Sequence, residues 1–163
     1  MKKLKAEPSM LINMDKWDKR FIKVAKEISD WSKDPSTHVA AIAVKDRKII
    51  ATGYNGFPKG IEDDEALLHN RDVKLRLMVH AEKNMIYNAV EHGVKLRGST
   101  VYIWGLPCCS ECWKGLVQTG VARVVMPDIN VHGGKWVNGC RYGEEFMRIA
   151  GINITEYKMF DYE

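Results

Sequence analysis

The stretch TVYIWGLPCCSECWKGLVQTGVARVVM, running from Thr100 to Met126, decides the fold. Thr100 to Trp104 are all β-branched or aromatic, which suits a buried strand. Cys109 to Thr119 reads as a helix closed by Gly120, and Ala122 to Met126 as a second strand. The alternation continues on both sides. Upstream, the pattern predicts a helix from His80 to Glu91, stopped by Gly93; downstream, it predicts a helix from Gly143 to Ala150 and a strand from Ile152 to Tyr157. Earlier in the chain, His38 to Val44 and Lys48 to Tyr54 are β-rich runs separated by Lys45, Asp46 and Arg47, an antiparallel hairpin. Before them Trp17, Phe21, Val24, Ala25, Ile28 and Trp31 recur at helical spacing. They predict an amphipathic helix from Asp15 to Ser32, with both tryptophans in its apolar stripe, ended by Lys33-Asp34-Pro35. Strands alternating with helices behind an opening hairpin imply an α/β domain around a central mixed sheet.

A chain of 163 residues can bury one continuous core, so a single domain over 1–163 is expected, with 1–13 as a flexible N-terminal extension. Its 45% hydrophobic and 28% charged composition belongs to a soluble globular protein and excludes disordered and membrane-embedded classes. The basic start, Met1 to Lys5, is not followed by an apolar signal core before Asp15 and Asp18, so a cytoplasmic location is expected, or the host cytoplasm for a viral protein. The excess of 25 basic over 21 acidic residues is too mild and dispersed to read as a nucleic-acid footprint. Glu62-Asp63-Asp64-Glu65 reads as a solvated acidic loop, and His38, His69, His92 and His132 as surface or packing residues.

Three of the four cysteines crowd into Cys108, Cys109 and Cys112, a spacing that favours metal or redox chemistry over disulfides. Cys109 and Cys112 sit three apart at a predicted helix start, where they share a face and the helix dipole favours thiolates. His80 opens another predicted helix. Together the three make a ligand set suited to tetrahedral zinc, with the fourth position open to water. Glu82, two residues beyond His80 and not a ligand, is placed to carry protons. Cys108 and Cys112 are four apart where Cys109 and Cys112 have the required three, so Cys109 is assigned as the ligand and Cys108 as an inert buried thiol, with Cys108 as ligand in place of Cys109 the alternative.

His-x-Glu with Pro-Cys-x-x-Cys is a known signature of zinc nucleobase deaminases. Here it stands as His80-Ala81-Glu82 and Cys109-Ser110-Glu111-Cys112, with Pro107 one residue early. Ser32-Lys33-Asp34-Pro35, Val39 to Val44, Gly53-Tyr54-Asn55-Gly56 with Pro58, Gly60, Asp63 and Asp64, then Asn84 and Gln118 to Val121, extend the likeness over most of the chain. In these residues the chain resembles the deoxycytidylate deaminases of the cytidine deaminase superfamily. The resemblance implies a three-layer α/β/α fold with a central mixed five-stranded sheet. It implies hydrolysis of dCMP to dUMP and ammonia at C4, supplying dUMP for thymidylate synthesis, with Glu82 protonating N3 and then the departing amine. It further implies that Asn55 contacts the deoxyribose, that the Ala81 backbone donates to the base, and that Leu106 and Trp104 wall the base pocket. Lys33, Arg71, Lys74 and Arg76 are the candidate cations for the phosphate, with Lys33 carried among the substrate-binding residues. A homo-oligomer, hexamer or dimer, with dCTP and dTTP as effectors, is the assembly the resemblance implies.

Two further departures accompany the shifted proline. Ile61 stands where several relatives carry a cysteine for a second, structural zinc, so one zinc per chain is expected. Val131 to Tyr142, with His132, Gly133, Gly134 and Trp136, does not match the family pattern and is the segment able to reshape the pocket or an interface. Three other readings compete with the dCMP assignment: a structural zinc knot with Cys108 or Cys140 as fourth ligand, a thiol redox pair at Cys109 and Cys112, and a deaminase of another cytosine nucleotide, nucleoside or nucleic acid.

Overall fold

A computed structural model of the chain describes residues 14–132 and 136–162. The expectation for 1–13 lies outside them, as do Gly133 and Gly134 and the side chains of His132 and Trp136. Asp15 starts helix α1, Lys16–Ser29, through a reciprocal cap: its carboxylate accepts from the N–H groups of Trp17 and Asp18, and the Asp18 carboxylate accepts from the Asp15 N–H. Phe21, Ile22, Ala25 and Ile28 form the buried face. The helix stops short of the predicted Ser32, so Trp31 leaves the stripe; it is 58% exposed and stands edge-on to Tyr54.

Strands β1, Ala40–Lys45, and β2, Lys48–Tyr54, pair antiparallel. Asp46 and Arg47 between them both hold positive φ, 50° and 60°, the two-residue turn whose twist matches a hairpin. Helices α2, Glu65–His69, and α3, Arg71–Leu77, follow where the sequence predicts a loop at Glu62 to Glu65. Asp64 caps α2 and Asn70 caps α3, so part of the acidic run is a helix start. After them come α4, Ala81–Glu91; β3, Thr100–Trp104; α5, Cys112–Gln118; and β4, Arg123–Pro127. A 3₁₀ turn, Ile129–His132, leads to α6, Trp136–Ile149, and β5, Asn153–Tyr157, is followed by a last 3₁₀ turn, Met159–Tyr162. Helix α6 begins well before the predicted Gly143. Gly139 and Gly143 lower its intrinsic propensity, and Gly143 is used for packing, since a β-carbon there would lie 2.8 Å from the Trp113 ring.

The sheet order is β2-β1-β3-β4-β5, antiparallel through β2, β1 and β3 and parallel through β3, β4 and β5. Side chains alternate between its faces. Ala41, Ala43, Val101, Ile103, Val124, Met126 and Ile154 join α4, α5 and α6 in one apolar core. Ala40, Ile42, Val44, Tyr102, Trp104, Val125 and Tyr157 join α1 in the other. The result is three layers, α/β/α, around a mixed five-stranded sheet, as the resemblance implies. Among the described residues no helix is long and apolar enough to cross a membrane.

One glycine sets the position of α4. A β-carbon at Gly53 would collide with the Met85 amide and the Ala81 carbonyl and lie 2.8 Å from the Asn84 carbonyl carbon. Strand β2 therefore meets α4 backbone to backbone. Asn84 and Asn88 reinforce the contact by donating to the Tyr54 and Thr52 carbonyls, each at 2.8 Å.

Candidate active site

The close approach at Gly53 fixes where α4 begins, and His80 is its N-cap residue. Its backbone is extended and its side chain makes no capping bond, which leaves the imidazole for other partners. Cys109 and Cys112 arrive from the loop between β3 and α5; the Cys112 N–H donates to the Cys109 carbonyl at 3.1 Å, closing the turn that puts both sulfurs on one side. His80 Nδ1 lies 3.3 Å from Cys109 Sγ and 3.4 Å from Cys112 Sγ. All three ligand atoms fall within 4.8 Å of one another. A nitrogen and a sulfur on a tetrahedral zinc stand about 3.5 Å apart, from bond lengths of about 2.0 and 2.3 Å. The donor set and its spacing therefore fit zinc.

The pKa of Cys109 is drawn down to about 4, chiefly by the Cys112 thiol's hydrogen bond and further by His80. Cys112 is pushed up by that same bond and by burial, so the pair holds a proton that a metal would release. The hydrogen bond with Cys109 raises His80. Glu82 is only 4% exposed; burial, then the Cys109 charge, lifts its carboxyl above the ordinary range. Cys108 is fully buried, and burial pushes its thiol up. Among the described residues, His80, Cys109 and Cys112 form the one candidate metal-binding group, and neither Cys108 nor Cys140 joins it.

His80, Ala81, Glu82 and Cys109 line a cavity of about 310 Å³. Leu106, Pro107, Ile129, Val137 and Cys140 supply apolar walls, while Asp34, Ser36, Thr37, Asn55, Arg71 and Lys74 supply a polar side. The structure thus brings His80, Ala81, Glu82, Cys109, Cys112 and Asn55 together. Asn55 is buried with its carboxamide engaged: Oδ1 accepts from the Val39 N–H and Nδ2 donates to the Thr37 carbonyl, each at 2.9 Å. It organises the two loops it joins.

Lys33 is exposed and outside the cavity lining, as is Arg76. Lys74 lines the cavity, but its ammonium donates to Asp34 at 2.7 Å and to Ser36 at 2.9 Å. Arg71 is exposed at the lining. The structure does not bring Trp104 to the cavity. Strand alternation turns it with Tyr102 toward α1, where it stacks on Tyr157 at 6.3 Å; Ile103 takes the other face, and Leu106 alone of the predicted pair walls the pocket. The sequence reading names none of Ile129, Val137 and Cys140 as pocket walls, although the last two fall in the Val131 to Tyr142 segment that it marks as able to reshape the pocket. The last two are three apart in sequence, a spacing that places them on one face of α6, and this was the available signal.

Three donor atoms spaced to hold a metal ion thus stand with the buried Glu82 carboxyl beside them, at the lining of one pocket. Comparison with known proteins agrees. A family profile described as the cytidine and deoxycytidylate deaminase zinc-binding region matches residues 15–127. An Aliivibrio fischeri protein described as "Uncharacterized deaminase in luxG 3'region" is 32% identical over 143 residues, covering 87% of this chain and 94% of that one. The deoxycytidylate deaminase of Mus musculus is 30% identical over 147 residues, 86% of this chain and 79% of that one. The crystal structure of dCMP deaminase from cyanophage S-TIM5 with dCMP and dUMP superposes with a TM-score of 0.69 at 23% identity, over 89% of this chain and 100% of that chain, a likeness of fold. The chain belongs to the cytidine and deoxycytidylate deaminase family.

Proposed function

We propose that this protein hydrolyses the 4-amine of dCMP, giving dUMP for thymidylate synthesis and ammonia. The observation that carries the reading is the buried Glu82 beside the His80, Cys109 and Cys112 cluster, at the end of a cavity that also reaches the cation Arg71. Zinc held by the three ligands supplies Lewis acidity that makes water nucleophilic near neutral pH. The rest falls to the protein. Glu82 accepts one proton from water and gives it to N3 as the C4–O bond forms, then takes the proton of the new C4 hydroxyl and gives it to the amine, so the C4–N bond breaks and ammonia leaves. The N–H of Ala81, in the first turn of α4, donates to the base, because such termini leave amides without helical partners. Apolar walls at Leu106, Pro107 and Ile129 exclude bulk water, and Asn55 holds the sugar side through the loops it ties. Of the four candidate cations, Arg71 is assigned to the phosphate, a choice supported by its position at the cavity lining and by the engagement of Lys74 with Asp34.

Homo-oligomeric assembly and control by dCTP and dTTP complete the reading. Tyr87 and Val90, apolar and 57% and 71% exposed on α4, support the assembly. The test of function is ammonia release from a panel of cytosine bases, nucleosides, monophosphates, triphosphates and oligonucleotides, with bound zinc measured in parallel. Turnover should be fastest on dCMP. Glu82→Gln should keep its zinc and lose turnover by about 10²- to 10⁴-fold, as for loss of a general acid and base. Fastest turnover on an unphosphorylated nucleoside or an oligonucleotide overturns the substrate; loss of zinc with Glu82→Gln overturns the role of the carboxylate.

A further inference from the structure

The matched family region ends at residue 127, yet the cavity is walled in part by Ile129, Val137 and Cys140, which lie beyond it. Helix α6 presents the latter two to the pocket. It is seated firmly there. Cys140 Sγ lies 4.0 Å from the Pro107 carbonyl, and a β-carbon on Gly139 would lie 3.8 Å from Ser110 Oγ, so the first turns of α6 rest on the loop that delivers Cys109. Farther along, Phe146 stacks on Trp113 with centroids 5.5 Å apart and planes at 14°, which braces α6 against α5. Cys140 is only 4% exposed and still lines the cavity, so what little surface it shows faces the ligand space.

The chemistry of deamination orients the base in that space. Protons move at N3 and at the 4-amine, and O2 lies on the same side of the ring as N3. That edge must face Glu82 and the Ala81 N–H, both at the start of α4. The C5–C6 edge therefore points away from α4. Across the sheet, α4 packs over β2 and β1 whereas α6 packs against β5, with α5 between them. Away from α4, the cavity lining is supplied by Pro107 of the β3–α5 loop, Ile129 after β4, and Val137 and Cys140 of α6. Its surface is apolar, which matches a ring edge that bears only hydrogen or carbon substituents.

We infer that Cys140, with Val137, forms the wall that meets C5 of the pyrimidine and sets how large a 5-substituent the enzyme accepts. The inference rests on the proposed cytosine nucleotide deamination. A methyl group added or removed in an apolar pocket changes selectivity by about 10- to 200-fold. The direction follows from size. Cys140→Ala opens room at C5, and Cys140→Leu fills it.

The experiment uses zinc-loaded full-length protein, with zinc content and circular dichroism checked for each variant. The first readout is the ratio of kcat/KM for 5-methyl-dCMP to that for dCMP. The second is the ratio of Kd values for dTMP and dUMP by calorimetry, two ligands that differ only by the 5-methyl group and need no turnover. Cys140→Ala should shift both ratios toward the methylated ligand by about tenfold, and Cys140→Leu should shift both the other way. Val137→Ala, a milder change on the same wall, should follow Cys140→Ala in direction and keeps the test open if a substitution at 140 fails to fold. Val121→Ala trims a buried apolar side chain outside the cavity lining and should leave both ratios where they are. Ratios within twofold of the parent in every folded variant at 137 and 140 overturn the inference, as does an equal shift in Val121→Ala. A parent protein that neither deaminates dCMP nor binds dUMP refutes the proposed function instead.

Discussion

Replacing Lys74 by methionine should unfold the protein more readily than its distance from the metal ligands suggests. The Lys74 ammonium and the Asp34 carboxylate meet at 2.7 Å with side chains 8% and 7% exposed. Removing one partner of such a pair leaves the other charge buried without compensation, which costs about 3–5 kcal/mol. For a domain of this size each kcal/mol lowers Tm by about 2–4 °C, so the loss should be about 6–20 °C. Asp34 also accepts from the N–H groups of Ser36 and Thr37, at 2.8 and 3.3 Å, and the Thr37 carbonyl in turn takes the Asn55 amide. The damage should therefore reach the cavity and raise KM as well. Thermal unfolding of zinc-loaded protein at pH 7 measures the first effect. The decisive comparison is the double variant Asp34→Asn with Lys74→Met, which removes both charges while an asparagine oxygen can still accept from Ser36. It should recover about 1–3 kcal/mol over the sum of the single losses. A Lys74→Met protein within about 1 kcal/mol of the parent, or strictly additive losses in the pair, would refute the reasoning.

Acid should destabilise the protein through Asp18 as well as Asp34. Burial alone would raise Asp18, but hydrogen bonds from Arg123 and Tyr102 outweigh it and hold the carboxyl below its ordinary 3.8; Asp34 is lowered likewise, by Lys74 and the Ser36 amide against burial. Both then contribute stability that is complete above the unfolded value and is lost as pH falls through the folded ones, so urea midpoints should drop below about pH 4. Asp18→Asn should lose less between pH 7 and that range than its parent, and an equal loss would count against the assignment. Gly53→Ala should destabilise by at least about 1–3 kcal/mol, the scale of overpacking, because its β-carbon meets the backbone of α4 and no side chain can move aside. A midpoint unchanged by this substitution would show that β2 and α4 can separate freely.

The parts of the fold that the sequence predicts are those whose signal is local. The β1–β2 hairpin, β3 and α4 each carry their own period, and the hairpin turn is marked by polar residues that bear positive φ at Asp46 and Arg47. The metal ligands are legible for the same reason, since each stands at or just before the start of a helix and their pairing needs only two such starts to meet. Helices α2 and α3 were missed because five and seven residues are too few to show a helical period, and their caps, Asp64 and Asn70, look like ordinary loop residues. Trp104 was misplaced by one step of alternation: the strand is read correctly, but which face its odd and even residues take depends on α1 and on α4 through α6, all remote in sequence.

Chemistry and selectivity are thus written differently in this chain. The reacting groups come from two short segments, His80 to Glu82 and Cys109 to Cys112, whose geometry follows from helix starts that the dipole and the free amides already favour. The walls come from everywhere else: Asp34 to Val39 before β1, Asn55 after β2, Arg71 and Lys74 on a helix without a visible period, Val137 and Cys140 on a helix obscured by glycines. What brings them together is close backbone packing, at Gly53 against α4 and at Gly143 against Trp113, and a buried ion pair between Asp34 and Lys74. A short motif can therefore keep the reaction while the walls change what reaches it, because altering Val137 or Cys140 moves no metal ligand and leaves Glu82 on its own helix.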